Sequence, residues 1–232
     1  MNSDMFDFVQ KESVYVEKEI KKYIAQLVTE INEVAEKYAK QYQNLYDSVR
    51  EQIVISKISS SGQGAFRGIY TPSIICPYLV TNYKKGRILN SKPASGKYFC
   101  YYFDKDERLL QVDYYAMNKL QTREYIVRNS SNVEYGLVYD KQQFLIMGNR
   151  TIFNDKREIA EFFESKMPLI KSQNMFDYEK YYYDDKDQLE GADKVFNGIY
   201  PNAFRYFRYV VFKKNGKTTV MPVSDRIMTF GN

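Results

Sequence analysis

From Phe66 to Phe153 the chain alternates short runs of aromatic and β-branched residues with brief polar breaks, and this spacing constrains the fold more than any other feature. Runs of that composition suit a pleated, half-buried surface. The breaks hold Gly86, Pro93, Gly96, Asn118, Asn129 and Asn132, all turn formers. Connections so short cannot hold crossover helices, so the strands must pair mostly antiparallel, as a meander. The expected strands are 66–70, 74–82, 87–89, 98–103, 109–117, 123–128, 133–139 and 144–147. The clearest unit is Tyr98–Tyr115, two aromatic strands joined by the charged turn Asp104, Lys105, Asp106 and Glu107. Asp suits such a bend because its side chain can bond its own backbone.

Upstream, residues 13–57 contain neither Gly nor Pro. Apolar positions Ile20, Ile24, Leu27, Ile31, Val34 and Tyr38 alternate in steps of four and three, the mark of a helix with a narrow apolar seam. After Tyr38 the seam moves to Tyr42, Leu45, Val49 and Ile53, rotated around the helix axis. An unbroken helix of this length would extend roughly 65 Å at about 1.5 Å per residue, more than a domain this size needs. A kinked helix lying across the sheet or a dimerising helix would each account for it. Small residues from Ser59 to Gly64 read as a flexible link, and Gly62, Gly64 and Gly68 follow a helix and precede a strand, the wrong order for a dinucleotide-binding loop.

Downstream, residues 154–166 read as a second helix, with Asn154 or Asp155 as cap and Pro168 past its end. One or two helical turns are expected within 187–196. Residues 204–212 and 218–223 form a hairpin around Asn215-Gly216. The expected architecture is α+β: a long N-terminal helical segment over 1–61, then a mostly antiparallel sheet domain over 62–232 with a helix near 155–167 and a C-terminal β-hairpin.

The chain has 232 residues and no histidine, which removes Ser-His-Asp and Cys-His hydrolases, zincins and histidine nucleases. Neither Cys76 nor Cys100 begins a phosphate-cradling loop, and no P-loop or nucleophile-elbow motif occurs. The two cysteines read as buried free thiols. Asp184, Asp185 and Asp187 are dense, but Leu189 and Glu190 stand where a calcium loop needs a ligand and a glycine, so a solvated turn is expected. Asp104, Asp106 and Asp113 could supply a glycosidase pair, though no spacing singles them out. No catalytic residue, metal ligand or cofactor is assigned. The net charge of +5 comes without dense Lys/Arg blocks, so a nucleic-acid partner is not expected. The acidic start carries no secretory signal and no apolar run spans a bilayer, so a cytoplasmic protein off the membrane is expected.

Tyrosine supplies the positive signal, at 23 residues without a single tryptophan. Neighbours Tyr101 and Tyr102, like Tyr114 and Tyr115, must point to opposite faces of their strands. Outward tyrosines beside Arg108, Arg123 or Arg128 would form the rigid aromatic-arginine surface common at protein interfaces. Arg205, Tyr206 and Arg208 offer the same combination. A large sheet covered on both faces would also use these aromatics internally, and both readings stand at this point.

Phe103-Asp104 with Leu109, Tyr139-Asp140 with Phe144, and Tyr183-Asp184 with Leu189 share an aromatic-Asp-turn-apolar pattern at unequal spacing. The segment Tyr102–Leu109 resembles the strand-turn-strand unit of YD-type repeats, except that Glu107 stands where that pattern has glycine. It is similar to hairpins of β-meander immunity proteins that neutralise bacterial toxins. That resemblance implies a cytoplasmic, non-enzymatic binder of a toxin domain. A carboxylate-based hydrolase acting on a glycan or nucleotide, and a structural protein assembled as a homodimer through its N-terminal helix, are the competing expectations.

Overall fold

The structure is a computed structural model that describes residues 16–62, 66–80, 83–166, 175–197, 203–214 and 217–229. Two helices, α1 (Val16–Tyr38) and α2 (Tyr42–Gln52), precede β1 (Ile55–Ser60). An excursion then carries a 3-10 turn (Gly68–Tyr70) and the one-turn helix α3 (Cys76–Leu79), before β2 (Ile88–Leu89). Ten strands follow in order: β3 (Lys97–Phe103), β4 (Leu109–Ala116), β5 (Lys119–Arg128), β6 (Val133–Asp140), β7 (Leu145–Phe153), β8 (Ile159–Lys166), β9 (Met175–Tyr183), β10 (Leu189–Phe196), β11 (Ala203–Lys214) and β12 (Lys217–Thr229). All twelve form one sheet in the order β12 to β3 consecutively, then β1 and β2, and every pairing is antiparallel. The expected meander is present and β11 pairs with β12 as the C-terminal hairpin requires, the Asn215-Gly216 turn itself lying outside the described residues; two long helices and the one-turn α3 accompany a larger sheet than expected.

The helical stretch breaks where its seam rotates. Helix α1 packs Ile24, Leu27 and Ile31 against Tyr135, Phe163, Tyr178, Val195 and Tyr206, while α2 packs Val49 with Tyr42 and Leu45 against Tyr125, Leu137 and Tyr139. The carbonyl of Tyr38 accepts both the Gln41 amide at 2.9 Å and the Tyr139 hydroxyl at 2.8 Å, the second bond tying the helix break to the sheet. The sheet thus uses both halves of the seam, and one straight helix could not have aimed both at it.

The opposite face is covered by the excursion between β1 and β2. Ile75, Ile69, Tyr70 and Phe66 pack there against Phe99, Tyr101, Phe103, Phe162, Tyr181 and Tyr209. Its two ends are pinched together at Gly62, whose φ of 65° and close approach to the backbone of Lys84 and Gly86 leave no room for a side chain.

Four expectations need correction. Residues 154–166 are not a helix: Asn154–Glu158 is a turn and Ile159–Lys166 is strand β8, paired with β7 and β9. Asn154 caps a hairpin instead, its Oδ1 accepting from the amides of Lys156 and Glu158. Residues 189–196 are strand rather than helical turns. The expected strands at 66–70 and 74–82 are the 3-10 turn and α3 over their described parts. Residues 55–60, expected as helix end and link, are the inner strand β1.

Candidate functional site

The aromatic and arginine residues singled out above separate by face. On the helix side of β3 to β5, Asp113 is fully buried and forms the hub of a polar cluster. Arg123 grips it with two bonds, Nε to Oδ1 and Nη2 to Oδ2, both 2.7 Å, and the amide of Gln111 adds a third at 2.9 Å. The remaining guanidinium nitrogen donates to the Tyr42 hydroxyl at 3.2 Å, and the group lies over the Tyr46 ring. Tyr115 stacks flat on Tyr98 with centroids 4.9 Å apart, while the Lys92 ammonium stands over its outer ring. Tyr102, on the same face by strand alternation, completes the group. Tyr102, Tyr115 and Arg123 are each half-buried, so each presents an edge to solvent from a fixed position.

Burial, then the charge of Asp113, pushes the phenols of Tyr102 and Tyr115 up, that of Tyr115 to about 12. Both are neutral hydroxyls at physiological pH. Arg123 is pushed up as well: desolvation opposes its charge, but the bonds and charge of Asp113 outweigh it. The surface therefore offers neutral hydroxyls, aromatic edges and one guanidinium whose charge is matched from below.

The other candidates lie elsewhere. Tyr101 is fully buried and its hydroxyl ties the excursion to the sheet, meeting Ser59 Oγ at 2.9 Å and accepting from the amide of Ile69 at 3.2 Å. Tyr114, on that same face, lines a cavity of about 350 Å³ with Phe99, Val112, Lys97, Arg67 and Glu124. Arg108 is exposed in its turn, 3.9 Å from Asp106. Arg128 clips β5 to Glu134 at 2.8 Å and to the carbonyl of Leu109 at 2.9 Å. Arg205 is exposed over the Phe207 ring. Tyr206 and Arg208 are buried on Asp193, which accepts from the former at 2.9 Å and from the latter at 2.8 and 2.9 Å.

Two buried polar groups under the excursion escaped sequence reasoning. Arg67 forks onto Glu124, Nε to Oε2 at 2.9 Å and Nη2 to Oε1 at 2.5 Å, with Asn149 bonded to both. Next to it, Lys194 bridges Asp177 at 2.5 Å and Glu179 at 2.7 Å, and Glu179 also accepts from Ser73 at 2.7 Å and from Tyr181. Glu164 stands directly across from Asp177 in the β8/β9 register. Burial, and then the charge of Asp177, pushes its carboxyl up to about 7. The available signal was a charge in mid-strand: Asp113, Glu124, Glu179 and Asp193 each interrupt an apolar strand, where a carboxylate must find a partner.

Among the described residues no group of three or more Asp, Glu or Cys side chains is placed to hold a metal ion. Asp104, Asp140 and Asp184 are turn acceptors, each taking two backbone amides on one carboxylate oxygen. No helix of the described residues is long and apolar enough to cross a membrane. Comparison with protein-family models, with curated proteins and with solved structures found no match.

Proposed function

We propose that this chain is a non-catalytic binding protein and, following the resemblance of Tyr102–Leu109, an immunity protein that acts in the cytoplasm by binding and neutralising a bacterial toxin domain. The observation that carries the reading is the preorganised surface of Tyr102, Tyr115 and Arg123 over the buried Asp113. Aromatic and guanidinium groups already fixed by packing lose little conformational freedom on docking, which is what makes them strong anchors. Matching Arg123 from beneath leaves its aromatic neighbours to dominate contact. The net charge of +5 favours an acidic face on the partner.

The test is a calorimetric titration with the polypeptide encoded by the neighbouring gene. A complex at micromolar concentration is expected, weakened about tenfold or more by Tyr102→Ala or Tyr115→Ala, equivalent to about 1.4 kcal/mol. No complex at that concentration sinks the toxin-binding reading.

The hydrolase reading draws on Glu164 facing Asp177. Their cavity, however, has only about 120 Å³, whereas sites for small molecules run from about 300 Å³ upward. The assembly reading draws on α1, whose seam Ile24, Leu27 and Ile31 is buried on the chain's own sheet, so a dimer would have to use the helix's other faces.

A further inference from the structure

On the helix-covered side, but several strands away from Asp113, a second cavity opens between the start of α1 and strands β8 to β10. It measures about 420 Å³ and is lined by Glu19, Ile20, Tyr23, Glu161, Tyr178 and Lys180, with Tyr182 and Asp193 at its far wall. That volume lies within the range of small-molecule sites, about 300–1,000 Å³.

The sheet register builds this wall in two directions. Across the strands, Glu161 on β8 is opposite Lys180 on β9, which is opposite Asp193 on β10. Along β9, Tyr178 and Tyr182 flank Lys180 on the same face, by the two-residue period of a strand. Helix α1 adds Tyr23, whose ring meets Tyr178 edge-on at 5.7 Å and whose hydroxyl donates to Glu161 at 2.5 Å.

Three features define what would fit. Among the described lining residues, Asp193 is matched by Arg208, and Glu19 and Glu161, the latter also accepting from Tyr23, share the wall with the ammonium of Lys180. Lys180 does not pair with either carboxylate within 4 Å; it is exposed and lies over the Tyr182 ring at 5.5 Å. Finally, Tyr178 is only 3% exposed, so its ring is fixed in the cavity wall, and it lies among Glu161, Tyr23, Tyr182 and Asp193. Tyrosine rings and carboxylates around one space are the chemistry that holds an organic cation, through ring faces and charge together.

The geometry points to a binding site for a primary alkylammonium group, whose N–H donors would reach Glu161 and the Tyr178 hydroxyl while its alkyl stem rests against Ile20 and the tyrosine rings. The group could be a free amine or the side chain of a lysine on a partner. Lys180 is the internal competitor, holding one ring face while the site is empty.

The test titrates the full-length protein with n-butylammonium, with 1-butanol and with Nα-acetyl-lysine amide, followed by tyrosine-ring NMR shifts. Saturable binding of the ammonium compounds, and none of butanol, is expected. Glu161→Gln should weaken binding about tenfold, the scale of about 1.4 kcal/mol. Tyr178→Phe should weaken it severalfold with thermal stability unchanged, because the ring that fills the wall is kept and only an acceptor facing the cavity is removed. Lys180→Met should tighten it by removing the competitor. Binding of the lysine derivative assigns the site to a partner's side chain; binding of butylammonium alone assigns it to a small amine. Failure of both to saturate, equal binding of butanol, or unchanged affinity in Glu161→Gln together with Tyr178→Phe overturns the proposal. None of these outcomes depends on the toxin-binding surface over Asp113, so the two can fail separately.

Discussion

Arg67 is held at a φ of 58°, in the left-handed region, with its guanidinium buried beneath the excursion. A non-glycine residue there costs roughly 1 kcal/mol or more and persists only where its surroundings enforce it. The enforcement is visible: the fork onto Glu124, the bond to Asn149, and the Tyr101 hydroxyl donating to the Arg67 carbonyl at 3.3 Å. Gly136 makes room for this group, since any Cβ there would strike the Glu124 and Asn149 side chains. Removing one partner of a buried ion pair leaves the other charge uncompensated, so Arg67→Met should cost about 3–5 kcal/mol. Adding Glu124→Leu to it should recover most of that loss, and denaturant unfolding of the two variants checks both expectations. The sequence showed a charge in mid-strand at Glu124. It could not show that the partner lies 57 positions upstream, because that pairing depends on how a loop crosses the sheet.

At the scale of elements, one turn recurs four times. Asp104, Asp140, Asn154 and Asp184 each accept two backbone amides, and the residue three positions on adopts a left-handed φ: Glu107 at 58°, Gln143 at 69°, Arg157 at 68° and Asp187 at 60°. Each turn is followed by an apolar residue that reopens the strand pairing after a bulge, as in Phe103 with Leu109 and Phe153 with Ile159. Three of these turns were legible as an aromatic-Asp-turn-apolar pattern. The fourth, Phe153-Asn154, was misread as a helix start because Asn caps helices and hairpin turns by the same side-chain bond. The left-handed site is also the one where YD-type repeats have glycine. Replacing Glu107 by Gly should therefore raise stability by about 0.5 kcal/mol, the steric relief slightly exceeding the entropy cost. Asp104→Ala should lower it by about 1 kcal/mol through its two lost acceptors. Thermal melts of the two variants should shift in opposite directions.

For the whole molecule, the sheet's interior face carries charge as well as aromatics. Glu164, Asp177 and Glu179 gather near the ammonium of Lys194, with Lys166 beside Glu164 and Asp177, because β8, β9 and β10 are adjacent and the excursion closes over them. Glu164 holds its proton more tightly in the folded state, with its carboxyl raised from 4.5 to about 7, than in the unfolded chain. Its contribution to stability is accordingly complete below pH about 4.5 and is lost as pH rises through about 7. Glu164→Gln keeps a neutral group at every pH. Its stability relative to the natural protein should grow between pH about 5 and about 8, and a parallel fall of both proteins over that interval would contradict the assignment.

Residues 97 to 153 determined by their own pattern that the chain would build an antiparallel meander, because strand period, turn residues and connection length are local properties, whereas 66–80, of similar composition, became the excursion once it packed on the sheet. The break in the helix was foreshadowed in the same way, by the rotation of its seam at Tyr38. Only the tertiary structure decided which tyrosines face inward. Tyr101 and Tyr102 are chemically equivalent neighbours, yet one anchors the excursion and the other borders solvent. Alternation along a strand specifies that they differ, while the elements packed on each face specify how. The helices and the excursion come from sequence-distant segments, so that choice is made only when the chain folds.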